Sequence, residues 1–276
     1  MGSSQRKILY IAIAAFCIFA VIAGVVDQVS IAKAKNKESK EMAELGGISQ
    51  AELKQEFNSI FDNEIHYNNY DLTGVSKKAE NENIVYSAYD IVENKENTYE
   101  VDIHLPLVNI NDDVATEFNK ITQQVFADKA TEILNKAEGS TTIYSVNYTG
   151  YIYGDVLSII LKSTLKEENN AQRTIVKTYN YDLKTKSEVS INDAISKKGI
   201  NKSDVESKIK KQVVQAIQEA NSINASGYNT YSRNIEDTIY NLDNISEFFF
   251  KEDGTLYIVF AYGNNNYTSE MDIIKI

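Results

Sequence analysis

The feature that most constrains this chain is an uninterrupted apolar run near its start, Ile8 to Val26. A basic pair, Arg6 and Lys7, precedes the run. An α-helix over this run would be roughly 28 Å long, close to the roughly 30 Å hydrocarbon core of a bilayer. The sequence therefore predicts one transmembrane helix over residues 8–26, after a short cytoplasmic tail over residues 1–7.

A cleaved secretory signal is the alternative, because Val21-Ile22-Ala23 or Ala32-Lys33-Ala34 would suit its cleavage site. We favour an uncleaved anchor, since the run is longer than the apolar core of a signal peptide. More lysines follow the run than basic residues precede it, which by the positive-inside rule would place the C-terminal part in the cytoplasm. These lysines are mixed with glutamates, however, and lead into a large domain, which can cross the membrane despite its charge. We expect a single-pass protein of the cell membrane with its C-terminal domain outside.

Charge argues against one class of function. The net charge is −11, and the first 26 residues carry no charged side chain besides Arg6 and Lys7. Nucleic-acid binding needs clustered Lys and Arg, so we expect no nucleic-acid partner. The acidity suits a basic partner, or it only keeps a surface domain soluble. Cys17, the only cysteine, lies in the apolar run, so the outer part can form no internal disulfide.

The spacing of apolar residues divides the outer part in two. Residues 27–82 predict a stalk, in which Ser49 and Glu52 form a capping box at the start of an amphipathic helix over about residues 49–64. That helix could pack on the main domain or on a second copy of itself.

Residues 83–276 predict the folded domain. Alternating apolar residues predict five strands up to Asp182, with a long helix between the second and third. The apolar face of that helix would hold Val114, Phe118, Ile121, Val125 and Ile133. The predicted fold is α+β, an antiparallel sheet packed with a few helices and preceded by the transmembrane helix.

The sequence offers little for catalysis. His66 lies in a polar stretch, His104 sits opposite the apolar face of its strand, and no serine lies in a nucleophile turn. Metal-ligand spacings and a glycine-rich phosphate loop are also missing from the sequence. We therefore expect no catalytic residue, no metal site, no cofactor and no enzymatic activity.

Tyrosine is the residue type that suggests binding, with 18 copies against no tryptophan. Tyr gives a large contact area at low entropic cost, and with Asn it suits stacking on sugars or adaptable contacts with a protein. Tyr is also a good strand residue on a half-wet sheet. The predicted binding residues are Tyr148, Tyr151, Tyr153, Tyr262, Asn264, Asn265, Asn266 and Tyr267.

Four segments of the predicted domain follow one another in the order of a known family: His104–Pro106, Tyr179–Thr185, Val189–Ala194 and Phe248–Leu256. With the elements between them, residues 83–276 resemble the extracytoplasmic domain of RsiV-type anti-sigma factors, which also precedes the catalytic domain of PdaC-type peptidoglycan deacetylases. The resemblance implies an α+β domain of unknown function outside the membrane. In RsiV it implies recognition of host lysozyme followed by release of a sigma factor.

We expect a non-catalytic binding domain of the bacterial cell envelope, whose ligand is a wall glycan such as peptidoglycan or a basic protein such as lysozyme. The alternative is a signalling or anti-sigma-type regulatory subunit that acts through a membrane-protein partner. A self-contained anti-sigma factor is not expected, because residues 1–7 are too few to cover a sigma factor. We also expect no deacetylase domain.

Overall fold

The structure, a computed structural model, describes residues 48–67, 70–135, 141–227, 230–262 and 269–276. The chain divides into Met1–Ile48 and Ser49–Ile276, and the second of these is the compact unit described below. The predicted tail, transmembrane helix and first part of the stalk fall outside the described residues. Of the helices that are described, none is both long enough and apolar enough to cross a bilayer.

Seven strands form the larger sheet: β1 (Ile65–Tyr67), β2 (Val85–Lys95), β3 (Tyr99–Val108), β4 (Thr142–Tyr153), β5 (Val156–Glu167), β6 (Arg173–Asp182) and β7 (Ser187–Glu188). The order is β2-β3-β4-β5-β6-β7, and β1 pairs with β4. Most neighbours are antiparallel, but the β3–β4 and β1–β4 pairs are parallel. β3 and β4 run parallel because a helical crossover, and not a hairpin, connects them. The α+β class predicted from the sequence is confirmed.

The crossover helix packs on one face of this sheet. It consists of α2 (Asp113–Thr122), a π-helical segment (Gln123–Ala127) and α3 (Asp128–Leu134). The sequence predicted Ile121 and Val125 on the buried face, yet they are 47% and 38% exposed, whereas Thr122 and Phe126 are 5% and 2% exposed. The displacement is present at Thr122, before the π turn begins at Gln123. Positions i+3 and i+4 lie on the same side of a helix, so apolar spacing alone does not decide which of the two is buried.

A second, antiparallel sheet contains β8 (Phe248–Phe250), β9 (Leu256–Ala261) and β10 (Met271–Lys275). Alternate residues of its strands point to opposite faces. One face shares a core with the larger sheet through Phe249, Val259 and Ile160. The other shares a core with α4 (Ile191–Lys198) and α5 (Lys202–Ala225). The compact unit is thus a stack of helix, sheet, sheet and helix, with short 3₁₀ helices at Thr238–Tyr240 and Leu242–Asn244.

The first helix, α1 (Gln50–Asn58), belongs to this compact unit. Its predicted capping box is present, because the Ser49 hydroxyl accepts from the Glu52 amide and the Glu52 carboxylate accepts from the Ser49 amide. Leu53 and Phe57 are each 1% exposed, within the core between the two sheets. The helix assigned to the stalk therefore packs on the main domain, the first of the two alternatives left open by its narrow apolar stripe.

Two glutamine side chains complete the free edge of β10. The Gln50 amide donates to the Ile273 carbonyl (2.9 Å) and accepts from the Ile273 amide (3.0 Å). The side-chain amide of Gln212 likewise donates to the Lys275 carbonyl (3.4 Å) and accepts from the Lys275 backbone N–H (3.2 Å). A primary amide carries one acceptor and two donors, so it can replace the peptide group of a neighbouring strand. α1 and α5 are thereby fixed to the small sheet.

Candidate functional site

The larger sheet forks along one edge of β4. β3 pairs with Thr142–Val146, and β1 pairs farther along with Gly150–Ile152. Asn63 fills the gap. Its backbone N–H donates to the Tyr148 carbonyl (2.9 Å), and its side-chain Oδ1 accepts from the Tyr148 backbone N–H (3.0 Å). Its φ of 62° lies in the left-handed region that Asn tolerates better than most residues. The fork separates β1 from the start of β2.

Gly150 allows β1 to lie against β4. A Cβ atom on Gly150 would be 2.3 Å from Ile65 Cδ1 and 3.2 Å from the carbonyl oxygen of Ser158. The first distance is far inside van der Waals contact, so a side chain here would displace the Ile65 side chain, which lines the space between β1 and β4. This explains a glycine that had no evident role in the sequence.

The fork encloses a groove of about 380 Å³. Tyr67 of β1 and Tyr86 of β2 line it, with Tyr148 of β4 beside them. We call it the tyrosine groove; its remaining lining residues are Asn63, Glu64, Ile65, Leu72, Asn83, Ile84, Val85 and Ser87. Aromatic walls with a few polar groups are typical of small-molecule sites.

Several polar groups of the groove are available to a ligand. Within the described residues, the side chains of Glu64, Tyr67, Asn83 and Tyr86 make no hydrogen bond. Tyr67 is also 47% exposed. These groups provide two hydroxyls, an amide and a carboxylate, which together can donate and accept hydrogen bonds.

The innermost tyrosine lies in an acidic environment. Burial raises the pKa of Tyr148, a hydrogen bond with Ser87 lowers it, and the charges of Asp90, Asp62 and Glu64 raise it further. The Tyr148 hydroxyl therefore stays protonated at neutral pH. The groove carries negative potential from these carboxylates and has no Lys or Arg in its lining.

A polar chain leads from Ser87 to the outer face of the sheet, but it lacks an activated nucleophile. The Ser87 hydroxyl donates to Asp90 (2.6 Å) instead of to His104. His104 lies between two carboxylates, with Nδ1 2.6 Å from Asp90 and Nε2 3.0 Å from Asp102. Partial burial would raise the pKa of Asp90, but hydrogen bonds from Ser87 and His104 outweigh it and lower the pKa. In a Ser-His-Asp triad an imidazole accepts the serine proton, whereas here both His104 nitrogens face carboxylates and the Ser87 hydroxyl donates to Asp90.

Metal ligands do not cluster either. In the described ranges, no group of three or more His, Cys, Asp or Glu side chains is arranged to hold a metal ion.

Two of the predicted binding tyrosines lie away from the groove. Tyr151 points to the opposite face of β4 from Tyr148, where it stacks on Phe249 (6.3 Å between centroids) and on His66 (5.2 Å). Tyr153 packs on Phe250 and lies against Gly254 of the β8–β9 turn. The structure therefore separates Tyr148 from both of them, and both serve packing between elements.

Tyr262 lies on the small sheet in a buried polar network. Its hydroxyl donates to Asp272 (2.7 Å) and contacts the Tyr240 hydroxyl (2.8 Å). Arg233, 3% exposed, forms a bidentate pair with Asp272 (2.6 and 2.9 Å). Burial opposes the charge of Arg233, but Asp272 outweighs it and raises the pKa of the guanidinium. The predicted residues Asn264, Asn265, Asn266 and Tyr267 lie outside the described residues.

Most groove residues escaped the sequence prediction. Glu64 ends the helix predicted over about residues 49–64, and Tyr67 lies in the rest of the predicted stalk. Asn83 and Tyr86 lie at the start of the predicted folded domain. A local signal was present, because Tyr and Asn alternate around Tyr67 as they do near Tyr262. The pairing of β1 with β4 brings Tyr67 to Tyr148, and the pairings of β2 with β3 and of β3 with β4 bring Tyr86 there.

These observations define a four-layer α+β domain with an acidic, tyrosine-lined groove. No family model and no curated protein matches the sequence. Among solved structures, it is similar to a DUF3298 family protein from Pseudomonas aeruginosa, with 12% identity and a TM-score of 0.38 over 66% of this chain and 83% of that one. It is also similar to a DUF3298 member from Bacteroides fragilis, with 11% identity and a TM-score of 0.28 over 64% and 80%. At such TM-scores these likenesses assign no function to the chain.

Proposed function

We propose that this protein is a membrane-anchored binding protein of the bacterial cell envelope, and that its outer domain holds a wall glycan in the tyrosine groove without performing chemistry. The observation that carries the proposal is the groove itself, where Tyr67, Tyr86 and Tyr148 meet at the fork of the sheet. The apolar run at residues 8–26 supports the anchor.

A glycan fits the chemistry of this groove. Sugar rings present apolar C–H faces that pack on aromatic rings, and their hydroxyl and acetamido groups need both donors and acceptors. The rings of Tyr67 and Tyr86 supply the first kind of contact, and the Tyr148 ring, 2% exposed, lies buried beside them. The free Asn83 amide and Glu64 carboxylate supply the second. An acidic wall also suits the ammonium groups of wall peptides and disfavours anionic polymers.

Titration with soluble peptidoglycan fragments tests this proposal. Calorimetry on the full chain in detergent should show binding by the wild type and about five- to tenfold weaker binding by Tyr86→Ala, the loss expected for one aromatic contact. Tyr86→Phe should lose less, because it keeps the ring. Tyr89→Ala is the matched control, since Tyr89 lies on the same strand but outside the groove.

The outcomes separate the two ligands proposed from the sequence. Lack of binding to the fragments, or equal binding by Tyr86→Ala and Tyr89→Ala, would refute a glycan in the groove. Binding of lysozyme alone would favour the basic protein.

The orientation needs its own test. In intact cells of a Cys17→Ser background, a cysteine introduced at Ser269 should react with a membrane-impermeant maleimide, and one at Ser3 should not. Ser269 is exposed in the structure. Labelling at Ser3 would refute an outer location of the domain.

Signalling through a membrane partner is the second candidate. One continuous segment, residues 49–67, forms α1 and then the β1 wall of the groove. A ligand that moves β1 would therefore act on the segment closest in sequence to the apolar run. Co-purification of a second membrane protein, lost when residues 8–26 are replaced by an unrelated span, would support this function.

A further inference from the structure

β2 is an edge strand that is open for pairing. It ends the order of the larger sheet, and no described strand pairs with its outer edge. A bulge at Ala88 interrupts only its beginning, because regular pairing with β3 resumes at Tyr89 and continues to Lys95. Val92, in the middle of this regular stretch, is 75% exposed. An edge of this kind can accept an extended chain through its backbone N–H and C=O groups.

A cavity adjoins this edge on the inward side of the sheet. It has a volume of about 520 Å³ and lies between the β2–β3 pair and the crossover helix. Tyr89, Leu105, Pro106 and Leu107 provide apolar lining. The β-bulge and the π-helical segment both border it through Ala88 and Gln123. Bulges and π turns recur beside functional sites.

The outward side of the same edge is acidic. Between Asp90 and Asn94 on β2, and between Glu100 and His104 on β3, the outward residues include three carboxylates and no Lys or Arg. Asp90 and Asp102 each keep about half of their side-chain surface exposed, at 52%. A strand added to β2 would therefore place one set of alternate side chains beside the apolar cavity and the other set beside carboxylates.

We propose that the free edge of β2 docks an extended segment of a basic partner protein, in which apolar side chains alternate with Lys or Arg. The apolar side chains enter the cavity next to Tyr89, and the basic side chains lie over Asp90 and Asp102. Charge argues against a second copy of this chain as the occupant, because the chain carries −11. The site is separate from the tyrosine groove and does not depend on glycan binding.

The probe is a capped, fluorescent decapeptide of alternating Leu and Lys, titrated into the full chain in detergent and followed by anisotropy. A peptide of the same composition with N-methyl groups on consecutive residues is the control, because neither of its edges can then donate a full set of backbone hydrogen bonds to β2. Val92→Lys should weaken binding about tenfold, since it places a like charge at the edge. Ile223→Lys is the matched variant, because Ile223 is an exposed apolar residue on α5.

Hydrogen exchange supplies an independent readout. On binding, amides of residues 89–95 should gain protection, and those of the tyrosine groove should not. Equal binding by the N-methylated peptide, or equal affinities of Val92→Lys and Ile223→Lys, would refute the proposal. A concentration-dependent dimer of the unliganded chain that Val92→Lys abolishes would also refute it, because a second copy would then be the occupant.

Discussion

Replacing Gln50 by alanine should destabilise the domain strongly, although Gln50 is a polar residue in the first turn of a short helix. Its side chain is 1% exposed and makes two hydrogen bonds, of 2.9 and 3.0 Å, to the backbone of Ile273. Ile273 is itself fully buried, at 0% exposure. Gln50→Ala would therefore leave one amide and one carbonyl of β10 buried without their partners.

The magnitude follows from those two groups. An unsatisfied buried donor or acceptor costs about 1–3 kcal/mol. Because the helix start allows some water to reach the gap, we expect Gln50→Ala to lower the free energy of unfolding by about 2–4 kcal/mol. Gln50→Glu keeps the acceptor but sets a carboxylate against the Ile273 carbonyl, so it should be at least as destabilising at neutral pH and recover partly in acid.

Urea unfolding of the full chain, followed by circular dichroism, measures this difference. Gln55→Ala is the control, since Gln55 lies on the same helix and is exposed. It should change the free energy of unfolding by less than about 0.5 kcal/mol. If Gln50→Ala and Gln55→Ala agree within that amount, the side-chain amide does not complete the edge of β10 and the reasoning is wrong.

Three further predictions concern other contacts. Asn180→Ala should cost about 2–3 kcal/mol in urea unfolding, because Asn180 accepts from Ser158 (2.6 Å) and donates to the Phe248 carbonyl (2.8 Å), whereas Ser163→Ala on the same sheet should cost less than about 1 kcal/mol. Gly150→Ala should weaken binding in the tyrosine groove severalfold in calorimetry by displacing the Ile65 side chain, whereas Gly74→Ala, with open space around its Cβ position, should not. Asp182→Asn should flatten the acid limb of the pH–stability curve below about pH 4. Burial raises the pKa of Asp182, but hydrogen bonds from Lys197 and from the Thr185 and Lys184 amides outweigh it and lower the pKa. The resulting stabilisation is present above the pKa of the unfolded state and is lost as the pH falls through the pKa of the folded state.

The local elements could be predicted from the sequence because their signals are local. The capping box at Ser49 and the alternation in β3 depend on residues a few positions apart, and both appear as predicted. Ile121 and Val125 were assigned to the wrong face because positions i+3 and i+4 lie on the same side of a helix, and packing on the sheet buries Thr122 and Phe126 instead. The sequence could not show whether α1 packs on the main domain or on a second copy, because its partner strand β10 lies more than 200 residues away.

The tyrosine groove shows what only the tertiary structure decided. The sequence by itself determined that Tyr148 lies on the opposite face of β4 from Tyr151 and Tyr153, because odd numbers of residues separate them. It could not determine which face borders a cavity, because that depends on where β1 and β3 leave the edge of β4. Tyr67 and Tyr86 join Tyr148 only through those long-range pairings, and strand pairing between distant segments is not encoded by any local period.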